Sequence, residues 1–129
     1  MSWKFAASSG KGKLVIRSVE ANEAAVLYFS GQICLRQEAA RFGQTVSKFL
    51  NSRKNIVLEL CAVEAIGSAG LGELVLLSMQ ARAAECELRL AAPSEDLLNL
   101  LRSCNIASLF EIYPGVEEAL ASLRDQVTA

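Results

Sequence analysis

The chain contains no histidine among its 129 residues, and this absence excludes more kinds of function than any other feature of the composition. Without an imidazole, the chain lacks the base of Ser-His and Cys-His nucleophilic catalysis, a phospho-histidine and the commonest metal ligand. We therefore expect a protein that is not an enzyme and that carries no metal and no other cofactor.

Long hydrophobic runs and an excess of one charge are also missing. Although 52% of the residues are hydrophobic, no uninterrupted apolar run approaches the roughly 18 residues of a membrane helix. The first ten residues lack the apolar core of a secretory signal. A net charge of −1, with both signs interspersed, gives no electrostatic footprint for nucleic acid or anionic lipid. We expect a cytoplasmic protein that neither binds nucleic acid nor inserts into a membrane.

Cysteine is present but not in pairs. Cys34, Cys61, Cys86 and Cys104 form no C-x-x-C motif, and thiolates spaced so widely rarely converge on zinc. Apolar neighbours surround three of them, so we expect reduced cysteines that behave as small core residues. The length fits one domain over residues 1–129, with 1–12 as an extended or edge-strand segment.

The spacing of apolar residues predicts alternating strands and helices. Loose alternation and short apolar runs predict strands at residues 13–19, 24–30, 56–60, 86–91 and 109–113. Apolar residues recurring at helical spacing predict helices at residues 36–50, 69–84, 94–103 and 114–125, with Ser94 as an N-cap and Pro114 in a first turn. The order β-β-α-β-α-β-α-β-α is typical of an α/β domain, here a mostly parallel mixed sheet of about five strands with four helices.

One turn carries a single hydroxyl among nearly bare backbone. Residues 61–72 read CAVEAIGSAGLG, and Ser68 lies where a helix begins. Since functional groups of parallel sheets collect beyond the carboxyl ends of the strands, this turn and residues 31–34 are expected on the same rim. A nucleophile would need the missing histidine, and a P-loop would need lysine where Glu73 stands.

A helix cap and a charge switch both remain open for Ser68. Serine is a favoured N-cap, and a helix N-terminus stabilises a phosphate. A phosphoryl group would add about −1.5 to −2 charges to a surface whose small residues let another backbone approach closely.

The helix after Ser68 has apolar residues outside its inner stripe. Leu76 and Met79 point away from the side formed by Leu71, Leu74, Val75 and Ser78, and Leu77 lies at its margin. Scattered surface residues are one interpretation. A partner or dimer face is the other.

Residues 56–72, IVLELCAVEAIGSAGLG, resemble the signature of STAS domains, the sulfate-transporter and anti-sigma factor antagonist family. In that signature an apolar strand ending in an acidic residue leads to Asp-Ser-Ser/Thr-Gly-Leu-Gly. The segments FSGQI at residues 29–33 and IYPGVEEAL at residues 112–120 are also similar to the family. The resemblance extends over residues 13–123.

The resemblance implies a non-enzymatic regulator of transcription that works by partner switching. In bacterial members the unmodified domain binds a serine-kinase anti-sigma factor and frees a sigma factor. The kinase phosphorylates the serine that matches Ser68, which breaks the complex, and a phosphatase restores it. The residues expected to contact the partner are Gly31, Cys34, Gly67, Ser68, Ala69, Gly72, Leu76, Leu77 and Met79.

Two positions depart from the family pattern. Gly67 stands where the family usually has aspartate before the serine, and Cys34 stands where many members have aspartate after the second strand. These departures and the apolar residues of the helix favour the alternative function, a constitutive scaffold or accessory subunit without phosphorylation. Such a subunit belongs to a stressosome-like assembly or a lipid-transport ATPase complex. The expected partner is a serine-kinase anti-sigma factor or another regulatory protein, and a homodimer is a further alternative.

Overall fold

The computed structural model describes residues 13–21 and 24–128, and the side chains of residues 13–20 and 24–124. The extended or edge-strand segment predicted for residues 1–12 lies outside these residues. The strands are β1 (Val15–Ala21), β2 (Ala24–Ile33), β3 (Asn55–Ile66), β4 (Leu88–Ala91) and β5 (Glu111–Tyr113). The helices are α1 (Arg36–Asn51), α2 (Ser68–Ala84), α3 (Glu95–Ser103) and α4 (Val116–Thr128), and a 3-10 turn at Ala107–Leu109 precedes β5.

The five strands form one sheet in the order β1-β2-β3-β4-β5. β1 pairs with β2 antiparallel, and every other neighbouring pair is parallel. This topology confirms the predicted α/β fold and element order. Because the four parallel strands run in one direction, their carboxyl ends share one rim, which contains the turns that follow β2 and β3.

Helices cover both faces of the sheet. The larger core cluster takes side chains from α1, α2 and α3, and the smaller one lies under α4. Leu58 of β3 belongs to the larger cluster and Val57 to the smaller, and both are fully buried. The central strand is therefore covered on both faces, as its continuous apolar run predicts. Phe29 and Phe42 meet edge to face in the larger core, with ring centroids 5.0 Å apart.

β3 is much longer than predicted, with 12 residues. Its second half stays paired with β2 through two register shifts, between Tyr28 and Ser30 and between Gly31 and Gln32. Gly31 adopts a φ of 95°, which favours glycine, and is buried. Burial therefore contradicts the prediction that Gly31 contacts a partner, and its positive φ coincides with the register shift between Gly31 and Gln32.

The remaining local differences are small. Ser94 caps α3 as predicted, its hydroxyl accepting the N–H of Leu97 at 3.1 Å. α4 begins at Val116, so Pro114 lies before the helix rather than in its first turn. β4 and β5 each begin two residues later than predicted.

The prediction that the cysteines are small core residues, made from the apolar neighbours of three of them, holds for one cysteine. All four are free, and Cys86 is buried as expected, but Cys34 is half-buried and Cys61 and Cys104 are exposed. Cys61 lies on the second half of β3, and Cys104 follows the last residue of α3. Apolar neighbours along the sequence did not imply burial at either position, since burial depends on what packs over the residue.

Candidate functional site

The turns after β2 and β3 lie side by side at the carboxyl rim of the sheet. Ile33 and Ile66 are register partners at the ends of the two strands, and the N–H of Gly67 donates to the carbonyl oxygen of Ile33 at 3.0 Å. A Cβ built on Gly67 would lie 3.4 Å from the Cα of Cys34. The two segments that the sequence places on one rim are in direct contact.

Ser68 is the first residue of α2, and Gly67 occupies the N-cap position. No side chain caps this helix, so the interpretation of Ser68 as the N-cap of α2 is wrong, because Ser68 lies one residue inside the helix. The side chain of Ser68 is exposed, and no hydrogen bond joins its hydroxyl to any other described residue. The first turn also contains no acidic residue. The positive end of the helix dipole is therefore open to solvent beside a free hydroxyl.

Gly70 explains why α2 begins directly on the ends of the strands. A Cβ at this position would lie 2.7 Å from the carbonyl oxygen of Ile33 and 2.7 Å from Cγ1 of Ile66. Only glycine allows this approach without a shift of the helix. Gly72 differs, because a Cβ built there would meet nothing within 4 Å.

Glu38 is a rim residue that sequence reasoning missed. Its carboxylate accepts the N–H groups of Cys34 at 2.9 Å and Leu35 at 2.8 Å, and so closes the first turn of α1. The signal was available, since a glutamate three residues into a predicted helix often bonds back to the N-cap.

Cys34 is not poised for nucleophilic chemistry. Burial raises the pKa of its thiol, the Glu38 charge raises it further, and a backbone hydrogen bond at Ile33 acts in the opposite direction. The group remains a neutral thiol at physiological pH.

The outer side of α2 presents an apolar stripe. Leu76 is 58% exposed and Met79 is 62% exposed, as predicted. Leu77 is only 1% exposed and belongs to the core, so its assignment to the partner surface is wrong. It lies three residues after the buried Leu74 and hence on the same side of the helix.

We define the α2 seam as the exposed residues that follow one another at intervals of three and four along this helix. They are Ala69, Gly72, Leu76, Met79 and Ala83. The α2 seam starts at the carboxyl rim, next to Ser68, and extends along the full length of the helix. The five residues of the α2 seam carry no charge, and the seam begins beside the rim residues Gly67 and Ser68.

Two absences apply to residues 13–21 and 24–128, the part of the chain that the structure describes. There, no helix is long and apolar enough to cross a membrane. Nor do three or more acidic, cysteine or histidine side chains within those residues converge as metal ligands would.

Solved structures with the same fold include several anti-sigma factor antagonists. One from Mycobacterium paratuberculosis is 20% identical with a TM-score of 0.79, over 91% of this chain and 99% of that chain. A proposed antagonist from Thermotoga maritima is 24% identical with a TM-score of 0.72, over 84% of this chain and 94% of that chain.

SpoIIAA, an anti-sigma factor antagonist and cell-fate determinant of Bacillus, is 13% identical. Its unphosphorylated form has a TM-score of 0.72, over 86% of this chain and 97% of that chain. Its phosphorylated form has a TM-score of 0.67, over 84% of this chain and 99% of that chain. At such identities the likeness is one of fold. The model of the STAS domain family matches residues 15–119, and the chain therefore belongs to the STAS domain family.

Proposed function

We propose that this STAS domain is an anti-sigma factor antagonist that binds a serine-kinase anti-sigma factor through the carboxyl rim and the α2 seam. The observation that carries the proposal is the exposed hydroxyl of Ser68 at the uncapped N-terminus of α2, with Gly67 and Ala69 on either side. The antagonists that share the fold support it.

The surface has the features of a docking site. Gly67, Ala69 and Gly72 leave the backbone accessible, so another chain can approach it closely. Leu76 and Met79 supply apolar anchors, each of which would contribute about 1 kcal/mol when its exposed part is buried. Small residues at the rim and two large apolar residues along the helix suit a partner that lies across both.

Phosphorylation of Ser68 would act as the switch in this proposal. A phosphate would add about −1.5 to −2 charges and would be stabilised in the free protein by the N–H groups and dipole of α2. In the complex the same charge would have to be desolvated against small and apolar residues, which costs several kcal/mol. The modified protein would therefore favour the free state.

Binding can be tested with two single variants, in each of which one serine is replaced by aspartate. The chain is titrated into a purified serine-kinase anti-sigma factor by calorimetry, and Ser68→Asp is expected to weaken binding at least tenfold, or about 1.4 kcal/mol. Ser108→Asp is the matched control, because Ser108 is also exposed but lies before β5, at the opposite rim. Its affinity should stay within about twofold of the unmodified chain. Equal affinity for all three proteins would refute the proposed docking surface.

Modification is tested separately by intact-mass measurement after incubation with the kinase and ATP. The proposal predicts the gain of one phosphate, which is lost in Ser68→Ala and retained in Ser108→Ala. A chain that binds but gains no phosphate would contradict the switch.

One observation favours a second candidate function, a constitutive scaffold or accessory subunit. Gly67 and Cys34 replace the two carboxylates of the family pattern at the rim. This alternative predicts stable co-purification with a partner that neither ATP nor Ser68→Asp disturbs.

A further inference from the structure

The outer edge of the sheet is uncovered at β1. Among residues 13–21 and 24–128, β1 pairs only with β2, so its other edge presents backbone N–H and C=O groups without a strand partner. Val15 is 54% exposed and Val19 is 49% exposed, and both are β-branched residues that favour sheet positions covered by a neighbour. An open edge with two exposed valines is a template for a further strand.

The two valines lie on the face of the sheet that α4 covers only in part. Val19 is the register partner of Val26, which belongs to the smaller core cluster under α4, and directly opposite residues share a face. Val15 and Val19 themselves lie outside that cluster. Between them, the guanidinium carbon of Arg17 is 4.9 Å from the centroid of the Tyr28 ring on β2. This face over β1 is therefore unfilled, and it lies on the side of the sheet opposite α2.

The residues that precede β1 have the sequence pattern of a strand and a turn. Residues 1–12 read MSWKFAASSGKG. Trp3 and Phe5 flank a lysine, and such alternation is typical of a strand with one covered face. Residues 10–12, Gly-Lys-Gly, suit a three-residue hairpin loop, whose last residue favours glycine because it takes a positive φ. The segment is thus long enough to turn and return along β1.

We propose that residues 3–9 form a strand antiparallel to β1 at its open edge, joined to it by the loop at residues 10–12. The pairs on the open face are Trp3 with Val19, Phe5 with Arg17, and Ala7 with Val15. A shift of the pairing by one residue would turn Trp3 and Phe5 to the other face of the sheet, away from the exposed valines. The apolar residues on both strands therefore fix this register.

The paired side chains are complementary. Trp3 against Val19 is an aromatic and β-branched pair, which stabilises antiparallel strands. Phe5 lies against the guanidinium of Arg17, which already contacts the ring of Tyr28, so the cation is placed between two aromatic rings. The added strand also covers an edge at which another sheet could pair, and so it protects the folded domain from edge-to-edge association.

The fluorescence of Trp3 tests the contact directly, because Trp3 is the only tryptophan of the chain. In the unmodified chain its emission should lie at shorter wavelength than in the urea-unfolded chain. Acrylamide should quench it about threefold less than in Val19→Asp, which sets an unpaired charge against the indole. Val19 lies outside both core clusters, so this variant should keep the far-ultraviolet circular dichroism of the unmodified chain.

Ser18→Asp is the matched control. Ser18 is also exposed and is the neighbour of Val19 in β1, so its side chain lies on the opposite face of the sheet. In the proposed register it lies opposite Lys4, and an aspartate there should keep or increase the protection of Trp3. Equal quenching of the unmodified chain and Val19→Asp would overturn the proposal. Equal loss of protection in the two variants would overturn the register and hence the proposal.

Amide hydrogen exchange separates strand pairing from a side-chain contact alone and needs no variant. The N–H groups along β1 alternate in direction, so half of them point to β2 and the other half to the open edge. The proposal predicts slow exchange of both halves in the unmodified chain. In Val19→Asp the edge half alone should exchange about tenfold faster. Fast exchange of the edge half in the unmodified chain would overturn the proposal.

The concentration dependence distinguishes this segment from a second copy of the chain. Pairing within one chain gives the same quenching and exchange at about 10 µM and about 500 µM protein, whereas pairing between the β1 edges of two copies would increase with concentration. Such an increase would overturn the proposal in favour of an edge-to-edge dimer. None of these measurements involves an anti-sigma factor, so their failure would leave the proposed function intact.

Discussion

The two glycines of α2 give a test of the packing in which the same substitution has opposite effects. In Gly70→Ala the new methyl group would lie 2.7 Å from the carbonyl oxygen of Ile33 and 2.7 Å from Cγ1 of Ile66. The oxygen also accepts the N–H of Gly67, so it cannot move without weakening that bond. Overpacking of this kind costs about 1–3 kcal/mol, and the higher helix propensity of alanine offsets only part of it. We expect a net loss of about 1–2 kcal/mol.

Gly72→Ala lacks the steric cost. Its Cβ would meet nothing within 4 Å, so only the backbone term remains, and this favours alanine by about 0.5–1 kcal/mol. The two variants should therefore differ by roughly 2 kcal/mol, about 30-fold in the folding equilibrium.

Urea unfolding followed by far-ultraviolet circular dichroism measures the difference. A shared slope of about 2 kcal/mol per molar urea places the midpoints about 1 M apart. Equal stabilisation of both variants would show that α2 does not press against the end of β2. Equal destabilisation would show that this chain itself fills the space next to Gly72.

Three further substitutions probe the rim. Ser68→Asp should raise the free energy of unfolding by about 0.3–1 kcal/mol, since it supplies an acid to the open first turn of α2. In thermal melts this gain should shrink at high salt, and Ser108→Asp should show no gain. Gly67→Asp should also stabilise, by a few tenths of a kcal/mol, because aspartate is a better N-cap than glycine, and no gain in the same melts would contradict an uncapped helix. The raised pKa of Cys34 leaves little thiolate at pH 8, so Cys34 should be alkylated more slowly than free cysteine. Glu38→Gln removes a charge that raises this pKa, so it should speed the alkylation. Equal rates in the unmodified chain and in Glu38→Gln would refute this.

Most of the fold followed from the sequence because the spacing of apolar residues in helices, every three to four residues, differs clearly from their alternation or continuous runs in strands. Helical spacing in α1 and the continuous run of Ile56, Val57 and Leu58 are unambiguous, and the alternation of strands and helices implies a parallel sheet. The second half of β3 could not be predicted in this way. It is paired through two irregularities of β2, and its exposed residues, such as Cys61 and Glu64, interrupt the apolar pattern.

The site was predictable to the level of the rim but not of single side chains. The carboxyl-end rule placed the segments of Cys34 and Gly67 on the same rim, since it depends only on strand direction. The position of Ser68 in α2 depends on where the first helical hydrogen bond forms, which can shift by one residue. Leu77 was misplaced because α2 carries apolar residues on nearly all sides, so its buried side cannot be read from hydrophobicity alone.

The rim residues also bear on how a phosphate at Ser68 would act. Glu38 is already engaged with the N–H groups of Cys34 and Leu35, and the first turn of α2 has no acid. A phosphate at Ser68 would add about −1.5 to −2 charges to a rim where Gly67 and Cys34 stand in place of carboxylates and Glu38 already supplies a negative charge beside Cys34. A rim with an aspartate beside the serine would carry one more negative charge before phosphorylation. For the proposed phosphate at Ser68, the departures from the family pattern therefore make the relative change in rim charge larger.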